Sequence, residues 1–72
     1  GDKNLQLAKE VYLKLLDLKS DFALGYNGLA LLLDRVKNYK EAIINYNKAI
    51  EIEPLNPMFW NNRGCCFRNQ GK

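Results

Sequence analysis

Both cysteines of the chain, Cys65 and Cys66, are adjacent, and the segment that holds them, WNNRGCCFRNQGK (60–72), also carries the only tryptophan. Four chemistries could use such a stretch: a redox pair, a metal site, a nucleic-acid patch or a packing element. Neighbours on a helix point their Cβ bonds about 100° apart, so a disulfide between them is strained. A structural zinc site takes four ligands, usually as two spaced pairs. The chain has no histidine and no further cysteine. The commonest general base and the commonest metal ligand are therefore missing, and no metal or cofactor is expected. Two free thiols fit a reducing compartment, so an intracellular location, cytoplasmic or nuclear, is expected.

Other chemistry has little to stand on. Glu51 and Glu53 sit at the end of an amphipathic stretch and read as solvated charge. Gly25 and Gly28 precede Leu29-Ala30 inside a helical pattern, which is not a phosphate loop. The net charge is +3. Residues 1–53 balance eight Lys/Arg against eight Asp/Glu, and the excess is Arg63, Arg68 and Lys72. A nucleic-acid footprint is denser and interleaved with more aromatics, so no nucleic acid is expected. The longest apolar run, Leu29 to Leu33, is followed by Asp34 and Arg35; it falls far short of the roughly 20 residues of a membrane span, and no membrane partner is expected. The opening Gly1-Asp2-Lys3-Asn4 lacks the basic-then-apolar order of a secretory leader. With 72 residues, this is at most one small, marginally stable domain.

The elements that position these residues repeat. Shifted by 34, Ala8 falls on Ala42, Tyr12 on Tyr46, Lys14 on Lys48, Tyr26 on Trp60, Asn27 on Asn61, Ala30 on Gly64 and Leu33 on Phe67, without a gap. In YKEAIINYNKAIEIE (39–53) the apolar residues recur at steps of three and four, an amphipathic helix. Asn38 with Glu41 suggests a capping box at its start. Pro54 ends it, and Asn56-Pro57 starts another helix that runs through the cysteine segment. Residues 5–18 form a similar helix, and Ser20-Asp21 is expected to cap a fourth over about 22–36. No segment alternates as a strand does. Connections this short make neighbouring helices antiparallel.

These residues resemble the tetratricopeptide repeat (TPR) family. Its signature has a 34-residue period, an aromatic then Leu-Gly then Tyr in the first helix, Ala-x3-Phe in the second, and a closing Pro. Tyr26, Leu29, Ala30 and Leu33 hold the first-helix slots here, and Ala42, Tyr46, Ala49 and Pro54 the second-helix slots. The complete repeat spans 23–56. Residues 1–22 resemble the second helix of a preceding repeat, with Ala8, Tyr12 and Leu15. Residues 57–72 resemble the first helix of a following one, with Trp60, Gly64, Phe67 and Gly71. Departures are Ala30 for the helix-contact glycine, Lys37 where glycine usually ends the first helix, Arg63 for leucine, and Ser20 for the proline closing the first unit.

The resemblance implies an all-α fold, a right-handed superhelical stack of antiparallel helix pairs in a single domain. Trp60, Gly64 and Phe67 then read as interhelix packing, with Cys66 a small core residue and Cys65 turned toward the groove. A chain that opens and closes in mid-repeat reads as a piece of a larger TPR protein. The helix that would cover Trp60 and Phe67 is then missing, and self-association through this uncapped C-terminal helix is a risk. The implied function is a non-catalytic scaffold that holds a peptide or helix of another protein on its concave face. By that analogy the face takes Leu24, Asn27, Leu31 and Arg35 from the complete repeat. Met58, Asn61, Cys65, Arg68 and Asn69 come from the last helix. Asn27 and Asn61 are equivalent, and an amide row could register an extended ligand through its donors and acceptors. Some TPR proteins clamp the C-terminal carboxylate of heat-shock chaperones with Lys and Asn one turn apart, then Asn, then Lys and Arg. Only Asn62 matches that set. The alternatives are an RNA-binding helical repeat and the TPR arm of a larger enzyme. Pentatricopeptide repeats, the RNA-binding class of similar period, lack the aromatic–Gly–aromatic and Ala-x3-Tyr…Pro helices seen here.

Overall fold

The computed structural model describes residues 2–72. Gly1, the first residue of the unit expected at 1–22, lies outside the described residues. Four helices follow in order: α1 (Asp2–Leu18), α2 (Ala23–Arg35), α3 (Tyr39–Ile52) and α4 (Pro57–Gln70). No strand occurs among the described residues. The all-α, solenoid-like arrangement read from the sequence is the one that forms.

Local chemistry explains some boundaries as expected and others differently. Asn56 caps α4, its side chain accepting from the Met58 N–H at 3.1 Å, with Pro57 at the first helical position where its missing N–H costs nothing. The capping box at α3 does not form: Asn38 makes no side-chain cap bond. Its backbone is used instead. The Asn38 N–H donates to Leu33 O at 2.8 Å and the Lys37 N–H to Asp34 O at 2.9 Å. This pair of bonds is the Schellman ending of α2. It demands a left-handed residue, and Lys37 adopts φ 66° where glycine would be unstrained. The cap expected from Ser20-Asp21 is also absent, because the N-cap position falls on Phe22, which has no side-chain acceptor.

Ser20 contributes its carbonyl. The Tyr26 hydroxyl donates to Ser20 O at 3.1 Å, and at the position 34 residues on the Trp60 indole N–H donates to Pro54 O at 2.8 Å. Each aromatic thus ties its helix to the preceding turn through a backbone atom. That is why serine serves where proline is usual.

Each helix packs on the next in chain order, α2 against α3 most extensively, and α2 also meets α4. The molecule is a slab of 31 × 30 × 15 Å. Because α2 reaches α4 while α1 and α3 stay apart, the stack bends with α2 and α4 on its inner side. One core cluster joins Leu29, Ala30, Leu33, Ala42, Tyr46 and Cys66, with Tyr12, Leu16, Tyr39 and Ile43 against it. A second joins Ala23, Ala49, Ile50 and Phe59, with Tyr26 beside it. Two glycines admit α1 onto α2. A Cβ at Gly28 would stand 2.5 Å from Tyr12 Cε1 and Cζ, and one at Gly25 would stand 3.0 Å from Leu16 Cδ2. Gly28 and Gly25 thus take the approach of α1, while Ala30, where the signature has its glycine, is fully buried in the cluster shared with Ala42 and Tyr46 of α3.

Candidate partner-binding groove

On α2, Leu24, Asn27, Leu31 and Arg35 recur at helical spacing along one side, and Met58, Asn61, Cys65 and Asn69 repeat the pattern on α4. Leu24, Leu31 and Met58 are about half-exposed, and Arg35, Asn61, Cys65, Arg68 and Asn69 are exposed. Asn27 differs. It is only 5% exposed, and its carboxamide oxygen accepts from Asn62 Nδ2 at 3.0 Å. It ties α2 to α4 rather than offering an amide to a ligand. Asn61 lies apart, in a shallow hollow with Pro54, Leu55, Pro57 and Trp60. The two asparagines that match in the repeat therefore occupy different environments and form no row.

Three of the expected residues do converge. Leu31, Arg35 and Asn69, with Leu32 and Asp34, line an open groove of about 380 Å³ at the C-terminal ends of α2 and α4. Asp34 and Leu32 were not legible as lining residues from the repeat. Opposite charges on adjacent residues 34 and 35 were the available signal. Nearby, the Arg68 guanidinium lies 2.9 Å from Cys65 Sγ.

The electrostatics beneath the groove favour neutral groups. Cys66 is fully buried. Burial first, and then the Asp34 carboxylate, push its thiol up to about 11. Burial likewise pushes the Tyr46 hydroxyl well above its ordinary value, with Asp34 adding to it. That hydroxyl is enclosed without a hydrogen-bond partner. A thiol held protonated is a poor nucleophile, so Cys66 is a packing residue. The groove itself offers two leucines, a carboxylate acceptor, a guanidinium donor and an amide. This set can hydrogen-bond a peptide backbone and pair with one charged side chain of either sign. Among the described residues, no three His, Cys, Asp or Glu side chains converge in a way that could hold a metal ion. No described helix is long and apolar enough to cross a membrane.

The other side of α4 departs from the packing expected for it. Its buried apolar residues are Phe59 and Cys66, whereas Trp60 is 47% and Phe67 50% exposed. A Cβ at Gly64 would meet nothing within 4 Å. Arg63 bridges this side. Its guanidinium donates to Asn47 Oδ1 of α3 at 2.7 Å and lies 4.6 Å from the Trp60 ring centre and 5.9 Å from that of Phe67. An arginine in the leucine slot thus sets its guanidinium against two rings and ties α4 to α3.

Two family models, each described as tetratricopeptide repeat, match residues 23–56 and 45–72. No curated protein and no solved structure gives a match. The helix order, the 34-residue correspondence and these two matches agree: the chain belongs to the tetratricopeptide repeat family.

Proposed function

We propose that this chain is a non-catalytic interaction module that holds an extended peptide or a helix of another protein in the groove at the C-terminal ends of α2 and α4. TPR repeats in general mediate contacts between proteins. The observation that carries the finer reading is the meeting of Leu31, Leu32, Asp34, Arg35 and Asn69 in one open groove on the inner side of the bend. Apolar area supplies affinity there, and the two charges and the amide supply register. The free thiols, Cys65 exposed and Cys66 buried, favour a reducing compartment, cytoplasm or nucleus.

A displayed peptide library selected on the immobilised chain tests this. Peptides enriched on the parent chain are titrated against Leu31→Asp, Arg35→Glu and, on exposed α3, Lys40→Glu. The groove variants should bind at least tenfold more weakly and the Lys40 variant equally well. Equal binding by all three, or no enriched peptide, removes the groove from consideration.

A further inference from the structure

The groove between α2 and α4 does not stop at Asn69. The same residue lines a second hollow of about 470 Å³, whose other walls are Lys37, Tyr39, Gln70 and Lys72. The groove balances its charges, Asp34 against Arg35. The second hollow does not: its charged residues are Lys37 and Lys72, and no acid lines it. Its remaining side chains, two amides and the Tyr39 hydroxyl, can all donate hydrogen bonds. Lys37 is the left-handed residue that closes α2, so the turn itself holds its backbone at the rim.

The hollow belongs to the fold at this turn rather than to the last residues of the chain. Its counterpart 34 residues earlier has Leu5, Val36 and Asn38 where this one has Tyr39, Gln70 and Lys72, and it stays open although α3 follows Asn38. The earlier hollow is mainly apolar, with Lys9 its one charge. The later one has two cations and no aliphatic side chain. The imbalance extends beyond the walls. Residues 34–38 and 67–72 hold Arg35, Lys37, Arg68 and Lys72 against Asp34 alone. The turns at the opposite end, 17–22 and 51–57, hold Asp17, Asp21, Glu51 and Glu53 against Lys19 alone. The anionic part of a ligand is therefore drawn to the hollow and repelled from the other end.

We infer that the partner peptide is acidic on one side of an aliphatic anchor. The anchor rests on Leu31 and Leu32, and the peptide continues past Asn69 so that its Asp or Glu side chains pair with Lys37 and Lys72. This rests on the groove being the binding site and adds the chemistry of its ligand. The pairing is with side chains, at residues outside the set with which some TPR proteins clamp a C-terminal carboxylate.

The test selects randomised dodecapeptides on three immobilised chains in parallel: the parent, Leu31→Asp, and a double variant combining Lys37→Gly with Lys72→Gln. Glycine suits the left-handed backbone at position 37. The double variant should therefore unfold at no lower urea concentration than the parent, so that lost binding is not lost fold. The parent should enrich peptides in which adjacent Asp or Glu flank an aliphatic residue. The double variant should keep the aliphatic residue and lose the acidic bias. A synthetic peptide from the parent's set should bind the double variant about tenfold more weakly, with the gap closing in molar salt. Its Gln analogue should bind both alike. Lys40→Gln, which removes an exposed charge outside the hollow, should bind as the parent does. Aliphatic peptides without acidic bias, lost on Leu31→Asp, overturn this inference and leave the groove standing. No enrichment on any chain, or equal enrichment on Leu31→Asp, overturns both. Acidic peptides that ignore the double variant, or that weaken equally with Lys40→Gln, mean diffuse attraction and overturn the inference. So does an oligouridylate that displaces the peptide and binds more tightly, which would make the hollow a seat for nucleic-acid phosphates.

Discussion

Replacing Gly28 by alanine should destabilise the protein, although the same change in a free helix would stabilise it. Alanine exceeds glycine in a helix interior by about 1 kcal/mol. Against this stands the Tyr12 ring, since a methyl at position 28 would stand 2.5 Å from two of its carbons and the ring has to move. A fully enclosed tyrosine buries about 150–250 Å². Tyr12 is half-buried, so on the order of 100 Å² returns to water, about 2.5 kcal/mol at roughly 25 cal/mol/Å². The net loss for Gly28→Ala is then about 1.5 kcal/mol, a large share of the stability of so small a domain. The assay is urea unfolding followed by far-UV circular dichroism, in the parent chain and in Tyr12→Ala. In the second background the ring is gone, and Gly28→Ala should become stabilising by about 1 kcal/mol. Stabilisation already in the parent chain would refute the claim that Gly28 exists to admit Tyr12.

Three further outcomes are expected. Asn27→Ala leaves the Asn62 amide without its acceptor and should cost about 1–2 kcal/mol, whereas exposed Asn61→Ala should cost less than about 0.5 kcal/mol in the same unfolding assay; equal costs would contradict the buried tie. Lys37→Gly removes a side chain from a left-handed backbone and should stabilise by about 1 kcal/mol; a lower urea midpoint would contradict the strain. Cys66 contributes a pH dependence. Its folded thiol is raised from 9.0 to about 11, so between those values the folded state keeps a proton that the unfolded chain has released, and stability falls as pH rises. Tyr46 acts in the same direction. Cys66→Ala should therefore show a shallower fall across that window in thermal unfolding, and an unchanged fall would assign the effect to other groups.

Much of this fold was legible because helix termini and period are local properties. Asn56-Pro57 and Pro54 act on their own backbone, and their effects survive in the structure. The expected caps at Ser20-Asp21 and Asn38 failed for a local reason too. The helix began one residue later than the polar pair allowed, and the α2–α3 turn satisfied its carbonyls through the backbone. The candidate site was less legible because matching positions across the shift assumes matching neighbours. Asn27 has Asn62 of α4 beside it and Asn61 only the turn that leads into α4, so identical residues became a buried tie and an exposed side chain. Trp60 and Phe67 likewise copy Tyr26 and Leu33 in sequence but not in surroundings. The α1–α2 and α3–α4 contacts sit at positions that match under the shift but carry residues of different size. Gly25 and Gly28 accept Leu16 and Tyr12, while 34 residues on Phe59 joins Ile50 in a core cluster. A comparison built on identities passes over such exchanges of volume.

The proposed groove is tested most directly by amide chemical-shift mapping of the isotope-labelled chain with a peptide selected on it. The largest shifts should fall at Leu31, Leu32, Asp34, Arg35 and Asn69, with little change along the exposed side of α3. Shifts centred on the outer side of α4, at Trp60 and Phe67, or on α3 would contradict a partner site between α2 and α4.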